Sequence, residues 1–167
     1  MDEIVNKVAN SKLMVFDLED FFPKQEVCSL DIAQFLFEGF ILKEKEFRDQ
    51  LKNFNWEQFD NTYVAIYCST DAILPAWTFA LVASYLSSSS IASIQGSKKE
   101  MIVSIYLKKL DTIDFSIYNN LPVILKGCSK KEVPQEVYVL ATQKLIPFAK
   151  SIMFGEACST VPLFKRK

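Results

Sequence analysis

The chain has 167 residues, and half of them are hydrophobic, which supplies a packed core and excludes a disordered protein. The formal net charge is −1, so the whole molecule lacks the positive field that would hold nucleic acid. Histidine is absent from the sequence, so a reactive or metal-binding site must use thiolates, carboxylates, lysines or hydroxyls.

The chain starts with the acidic segment Met1-Asp2-Glu3-Ile4, which lacks the positive flank and apolar stretch of a signal peptide. No apolar run approaches the roughly 20 residues that span a bilayer. These features predict a cytoplasmic protein with no membrane segment. Cysteines stay reduced in that compartment, so the four cysteines are core residues, ligands or nucleophiles.

The first half of the chain alternates apolar runs with helical patterns. Residues 13–16 form an apolar run that predicts a strand. Residues 32–40 carry apolar side chains at helical spacing, which predicts a short helix broken at Gly39. Residues 43–53 predict an amphipathic surface helix, and residues 62–67 are β-branched and aromatic, which predicts a strand.

The second half continues the alternation. Three helices are predicted here. The first covers residues 76–86 after Pro75, the second covers residues 98–110 after the capping residue Ser97, and the third starts after Pro134. Proline suits the first turn of a helix. Further strands are predicted from short apolar runs at residues 91–95, 121–125 and 151–154.

The alternation of strands and helices is typical of a mostly parallel sheet with helices on both faces. We therefore predict a single α/β domain over residues 1–167. It would be Rossmann-like but without a dinucleotide-binding motif, since the chain has only four glycines and no glycine-rich phosphate loop. No internal repeat is evident beyond four Cys-Ser pairs.

Three of those pairs begin near the end of a predicted strand: Cys68-Ser69, Cys128-Ser129 and Cys158-Ser159. The carboxyl ends of parallel strands meet at one edge of a sheet, which is where such folds bind ligands. The topology therefore predicts a shared site at that edge if the three strands are neighbours. The fourth pair, Cys28-Ser29, does not lie at the end of such an apolar run.

Three thiolates would suit zinc or an iron–sulfur species. Asp71 or Glu156 could supply a fourth ligand, so the predicted metal site consists of Cys68, Cys128, Cys158, Asp71 and Glu156. The sequence has no Cys-x-x-Cys spacing, and the opposing interpretation is that these cysteines are small buried hydrophobic residues.

Two other chemistries stay open. Cys128 lies between lysines that favour a thiolate, so it could act as a nucleophile, with Lys126 or Lys130 moving the proton. Alternatively, the segments Gly127-Cys128-Ser129 and Cys68-Ser69-Thr70 precede helices and could bind an anion. A protein-interaction module whose cysteines only pack is the third hypothesis.

Four segments carry a family resemblance. They are residues 3–11, Cys68-Ser69-Thr70-Asp71-Ala72-Ile73, Lys126-Gly127-Cys128-Ser129-Lys130-Lys131 and residues 149–162. Together they resemble an uncharacterised bacterial family, largely from Bacteroidetes, that has no established activity. The resemblance implies genes near those for iron–sulfur cluster assembly, and hence assembly proteins as partners. With it, we predict an accessory factor that binds a metal or iron–sulfur species through thiolates.

Overall fold

We describe a computed structural model of the chain, which covers residues 13–127, 130–156 and 159–167. Its strands are β1 (Met14–Asp17), β2 (Val27–Asp31), β3 (Tyr63–Tyr67), β4 (Ala92–Gln95), β5 (Pro122–Lys126), β6 (Ser151–Glu156) and β7 (Ser159–Lys165). Its α-helices are α1 (Glu44–Asn53), α2 (Ala76–Leu86), α3 (Lys98–Asp111) and α4 (Gln135–Leu145). Within these residues, every helix is too short or too polar to cross a lipid bilayer.

The chain divides into two compact units, each with its own sheet. Unit 1 consists of Met1–Phe22 and Ile105–Lys167, and unit 2 consists of Pro23–Ser104. The unit 1 sheet has the order β1-β5-β6-β7, in which only β7 is antiparallel. The unit 2 sheet has the order β2-β3-β4 and is parallel throughout. The predicted α/β class with mostly parallel strands is confirmed, with the strands divided between two sheets.

One inner strand of each sheet, β3 in unit 2 and β5 in unit 1, is buried on both faces. Successive residues of a strand point to opposite faces, and residues 64–66 of β3 and 123–125 of β5 are each at most 2 % exposed. Three consecutive buried side chains therefore require cover on both sides of the sheet, as parallel sheets normally have.

Most predicted elements are confirmed to within one or two residues, including α1, α2, α3 and α4. The helix predicted over 32–40 is wrong. The structure has strand β2 just before this segment and a single 3₁₀ turn, Ile32–Phe35, at its start. The carboxylate of Asp31 caps that turn by accepting a hydrogen bond from the Ala33 amide at 3.0 Å. Strand β7 was not predicted at all.

The two units repeat one order of elements at a spacing of 59 residues. β3, α2 and β4 in unit 2 correspond to β5, α4 and the first four residues of β6 in unit 1. Pro75 and Pro134 precede the matching helices. Asn61 and Asn120 precede the matching strands with φ of +56° and +57°, a left-handed conformation that asparagine tolerates.

Buried positions on the matching helices repeat as well. They are Thr78, Val82 and Leu86 on α2, and Val137, Ala141 and Leu145 on α4. Few residues are identical between the two segments, so the repeat was missed in the sequence. The repeat is preserved in the prolines and asparagines that set the backbone conformation and in the spacing of the buried helix residues.

Candidate functional site

The structure describes some of the predicted metal ligands and not others. Cys68 directly follows β3 in unit 2, and Asp71 lies three residues beyond it. Glu156 is the last residue of β6 in unit 1. Cys128 and Cys158 lie outside the described residues.

Contrary to the sequence prediction, the three cysteines do not all follow strands of one sheet. The strand before Cys68 belongs to the unit 2 sheet, whereas the strands before Cys128 and Cys158 are hydrogen-bonded neighbours in the unit 1 sheet. The sheet-edge argument therefore joins Cys128 to Cys158 and does not extend to Cys68. Within the part of the chain that the structure describes, no group of three or more cysteine, aspartate or glutamate side chains is arranged to hold a metal ion.

The carboxyl edge of the unit 1 sheet carries a charged cluster. Lys126, at the end of the inner strand β5, has its Nζ 3.1 Å from Asp17 Oδ2 and 3.9 Å from Glu156 Oε1. These carboxylates end the two flanking strands, β1 and β6. A hydrogen bond to Asp17 and the charges of both carboxylates raise the pKa of Lys126 above its ordinary value. These interactions favour the ammonium form of Lys126, which is not the form that accepts a proton from a thiol.

A third carboxylate, that of Glu19, holds the chain that follows β5. Glu19 Oε1 accepts hydrogen bonds from the backbone amides of Lys130 and Lys131, at 2.7 and 3.4 Å. Glu19 itself lies in the 3₁₀ turn Leu18–Phe21 after β1, and its backbone amide donates a hydrogen bond to the capping carboxylate of Asp17 at 3.0 Å. These two amides already face a carboxylate and are poorly suited to an external anion. Cys128 and Ser129 of the predicted anion-binding segment lie outside the described residues.

The turn after β3 is held in a comparable way. Asp31 Oδ1 accepts a hydrogen bond from the Ser69 amide at 3.0 Å as well as from Ala33. Partial burial alone would raise the pKa of Asp31, but hydrogen bonds from the Ser69 hydroxyl and the two amides outweigh it and lower this pKa. The Ser69 amide, which an anion bound at this turn would need, therefore already donates its hydrogen bond to a carboxylate.

The Cys68 thiol is a hydrogen-bond donor in this turn. The Thr70 hydroxyl donates its one proton to the carbonyl oxygen of Gly39 at 2.7 Å. Cys68 Sγ lies 3.4 Å from Thr70 Oγ1, so the thiol must supply the proton of that contact. A metal-bound thiolate at Cys68 would have to give up this hydrogen bond.

Gly127, the residue that follows β5, lies very close to Leu18 in the turn after β1. Gly127 has φ of +153°, and a Cβ on it would lie 2.7 Å from Leu18 Cβ. The Leu18 carbonyl oxygen in turn accepts a hydrogen bond from the buried hydroxyl of Tyr106 at 2.7 Å. Leu18 is therefore fixed from the core side, so only glycine fits at position 127.

Replacing Tyr106 by phenylalanine is expected to lower the free energy of unfolding by about 1 kcal/mol at neutral pH, since one buried hydrogen bond is lost. Burial raises the pKa of Tyr106 far above its ordinary value of 10.0, aided by Tyr138, Glu19 and Asp17. The unfolded tyrosine loses its proton near that value while the folded one keeps it. Stability from this group is therefore complete below that pH and declines as the pH rises beyond it.

The measurement is urea unfolding of wild type and Tyr106→Phe near neutral pH and above about pH 10. Wild type should lose more stability than the variant on going to alkaline pH, because the variant has no phenol at this position. Lysine titration affects both proteins equally. Parallel losses in the two proteins would show that the Tyr106 hydroxyl is not held in its neutral form by the fold.

The sequence predicted an acidic turn at Asp17–Asp20 and a cap at Asp31, but not that Asp31 also holds the turn after β3 or that Asp17 pairs with Lys126. Asp17 and Asp31 hold the same position in a six-residue pattern. The pattern consists of an apolar residue, the aspartate, a leucine or isoleucine, two variable residues and a phenylalanine. In both cases the aspartate ends a strand and caps a 3₁₀ turn. The recurrence of this pattern was the available signal that the two turns share one local structure.

Comparison with known proteins gives a family and no closer relative. Residues 2–166 match the family model described as "Protein of unknown function (DUF2480)". None of the curated proteins and none of the solved structures matches the chain.

Proposed function

The chain belongs to the DUF2480 family of proteins of unknown function, and we propose that it binds a thiophilic metal ion at the carboxyl edge of the unit 1 sheet. The proposed ligands are Cys128, Cys158 and Glu156. Such a site would suit an accessory factor that carries zinc or an iron–sulfur species to partner proteins.

The pairing of β5 with β6 carries the proposal. The two strands are parallel neighbours, with Leu125 opposite Phe154, and they end at Lys126 and Glu156. Cys128 and Cys158 each follow their strand end by two residues in the chain. Two thiols that follow adjacent parallel strands, within one residue of the same register, are suited to share one ion at the sheet edge.

The charges at this edge are compatible with that ion. Two thiolates and the carboxylates of Glu156 and Asp17 carry four negative charges, against three positive charges from a divalent metal and the Lys126 ammonium group, so the edge would keep one net negative charge. The Glu156 side chain is 60 % exposed and only 3.9 Å from Lys126, so it is free to turn towards a metal. Thiolate sulfur and carboxylate oxygen are both established zinc ligands.

The test is metal binding by protein purified without air. Wild type should bind about one zinc ion or cobalt ion per chain, with sulfur-to-cobalt charge-transfer absorption in the cobalt form. Cys128→Ser and Cys158→Ser should each abolish that absorption, and Glu156→Gln should weaken binding at least about tenfold. Ferrous iron with sulfide is tested in the same series for cluster formation.

Cys68→Ser is the matched control, because Cys68 is also followed by serine and also follows a parallel strand. It should bind metal as wild type does. A wild-type protein that binds neither zinc nor cobalt would contradict the proposal. Loss of binding in Cys68→Ser equal to that in Cys128→Ser would replace the two-thiolate site by the three-thiolate site predicted from the sequence.

A further inference from the structure

Unit 2 contains a cavity at the carboxyl edge of its sheet. The volume is about 360 Å³, and the lining residues are Ile66, Tyr67, Cys68, Ala72, Leu74, Phe79, Gln95 and Gly96. Tyr67 and Gln95 end the neighbouring parallel strands β3 and β4. The cavity therefore occupies the position at which parallel α/β sheets bind small ligands, and its size is within the range of such sites.

The internal repeat explains why this space is open. Phe79 and Gln95 correspond to Tyr138 and Phe154 of unit 1, at the same spacing of 59 residues. The rings of Tyr138 and Phe154 are in contact, with centroids 5.5 Å apart and an interplanar angle of 70°. Unit 2 has a carboxamide where unit 1 has the second ring, so the corresponding aromatic contact cannot form.

The third corresponding position also differs. Cys68 corresponds to Gly127, where a Cβ would lie 3.3 Å from the Tyr138 hydroxyl. In unit 2 the partner ring is Phe79, which has no hydroxyl, and the cysteine side chain lines the cavity instead. The three exchanges together remove a ring and a hydroxyl and leave a cavity with an amide and a thiol.

The chemistry of the lining indicates the ligand. The apolar walls come from Ile66, Ala72, Leu74 and Phe79, and among the residues that the structure describes no charged side chain lines the cavity. Gln95 offers an amide that both donates and accepts hydrogen bonds. A charged ligand would lose its hydration without gaining a counter-charge, whereas an uncharged ring with an amide would satisfy both kinds of lining.

We propose that this cavity binds a small uncharged molecule with a flat apolar body and a hydrogen-bonding group, placed where Phe154 lies in unit 1. The ring of the ligand would contact Phe79, and its polar group would pair with the Gln95 carboxamide. This site is independent of the metal site proposed in unit 1.

The experiment uses benzamide as the probe and benzoate as its charged counterpart of equal shape, with binding followed by saturation-transfer NMR at millimolar concentration. Benzamide should bind wild type and benzoate should not. Bound benzamide should also slow the reaction of Cys68 with N-ethylmaleimide and leave that of Cys28 unchanged, as located by mass spectrometry.

Gln95→Phe is the decisive variant, because it restores the ring pair of unit 1 and should lower benzamide affinity at least tenfold. Gln143→Phe is the matched control, since Gln143 is exposed on α4 and the same ring is added away from the cavity. It should bind benzamide as wild type does, and so should Cys128→Ser. If Gln95→Phe fails to fold, Ala72→Trp fills the same space and replaces it. Absence of benzamide binding, or equal binding by the cavity-filled variant, would overturn the proposal.

Discussion

Replacing Leu86 or Leu145 by alanine is expected to lower the free energy of unfolding by about 2–5 kcal/mol in each case. Both side chains are fully buried, and each lies at the last position of its helix, α2 or α4. Each substitution removes buried methyl groups and leaves a cavity that the neighbouring side chains fill only partly. Because the two residues correspond in the internal repeat, their losses should be similar.

The measurement is urea unfolding followed by circular dichroism. Val139→Ala is the control, since Val139 lies on α4 and is 58 % exposed, and it should change the free energy of unfolding by less than about 0.5 kcal/mol. A large loss for Leu86→Ala with almost none for Leu145→Ala would contradict the equivalence of the two helices.

The elements that sequence patterns predicted well are those with a strong local signal. α1 places Phe47 and Leu51 one turn apart on its buried side, between charged residues. β3 and β5 are short apolar runs that are buried on both faces. In these segments the local preference and the tertiary environment favour the same structure, so one sequence was sufficient.

The failures have tertiary causes. Strand β2 was not predicted, because its backbone pairs with β3 from Val27 to Asp31 and pairing with a distant strand leaves no local signal. The segment that follows has apolar residues at helical spacing but forms only the 3₁₀ turn Ile32–Phe35. β7 contains Pro162, which usually argues against a strand. It is tolerated because it lies beside the irregular register at Ile152 and Met153. The division of the strands into two sheets depends on pairing choices that periodicity does not encode.

The sequence predicted which residue types the site would use but not how they are grouped. The three Cys-Ser pairs look equivalent along the chain, yet β3 pairs with β2 and β4, whereas β5 pairs with β1 and β6. The grouping of thiols is therefore a property of strand order. Charge follows the same division: the edge of unit 1 carries Lys126 between two carboxylates, while the cavity of unit 2 has an uncharged lining.

The two units thus place different chemistry at corresponding positions of one repeated scaffold. Lys126 of β5 corresponds to Tyr67 of β3, and Gly127 corresponds to Cys68. Backbone-determining residues such as Pro75 and Pro134 are kept, because the strand–helix connection requires them in both units. Side chains at the strand ends have diverged, since they contribute to the local site and little to the scaffold.

Replacing Gly127 by alanine is expected to lower the free energy of unfolding by about 2–5 kcal/mol, the sum of backbone strain and of a steric clash. The positive φ of Gly127 is costly for any residue with a Cβ, and that Cβ would lie 2.7 Å from Leu18 Cβ. Leu18 cannot move away easily, because it is fully buried and its carbonyl oxygen accepts the Tyr106 hydrogen bond.

Gly39→Ala separates the two terms, because Gly39 also has a positive φ, of +77°, but an added Cβ would meet no atom within 4 Å. It should lose only about 1–2 kcal/mol, the cost of the left-handed backbone alone. Urea unfolding of both variants measures the difference, which reports how tightly Leu18 is packed against the end of β5.

Equal losses would mean that the Leu18 turn yields to the added methyl group. The loop that leads to Cys128 would then start from a movable point, and Gly127→Ala would leave metal binding unchanged. A larger loss for Gly127→Ala, accompanied by weaker cobalt binding in the variant that remains folded, would show that the rigid start of this loop positions the proposed thiolate ligand.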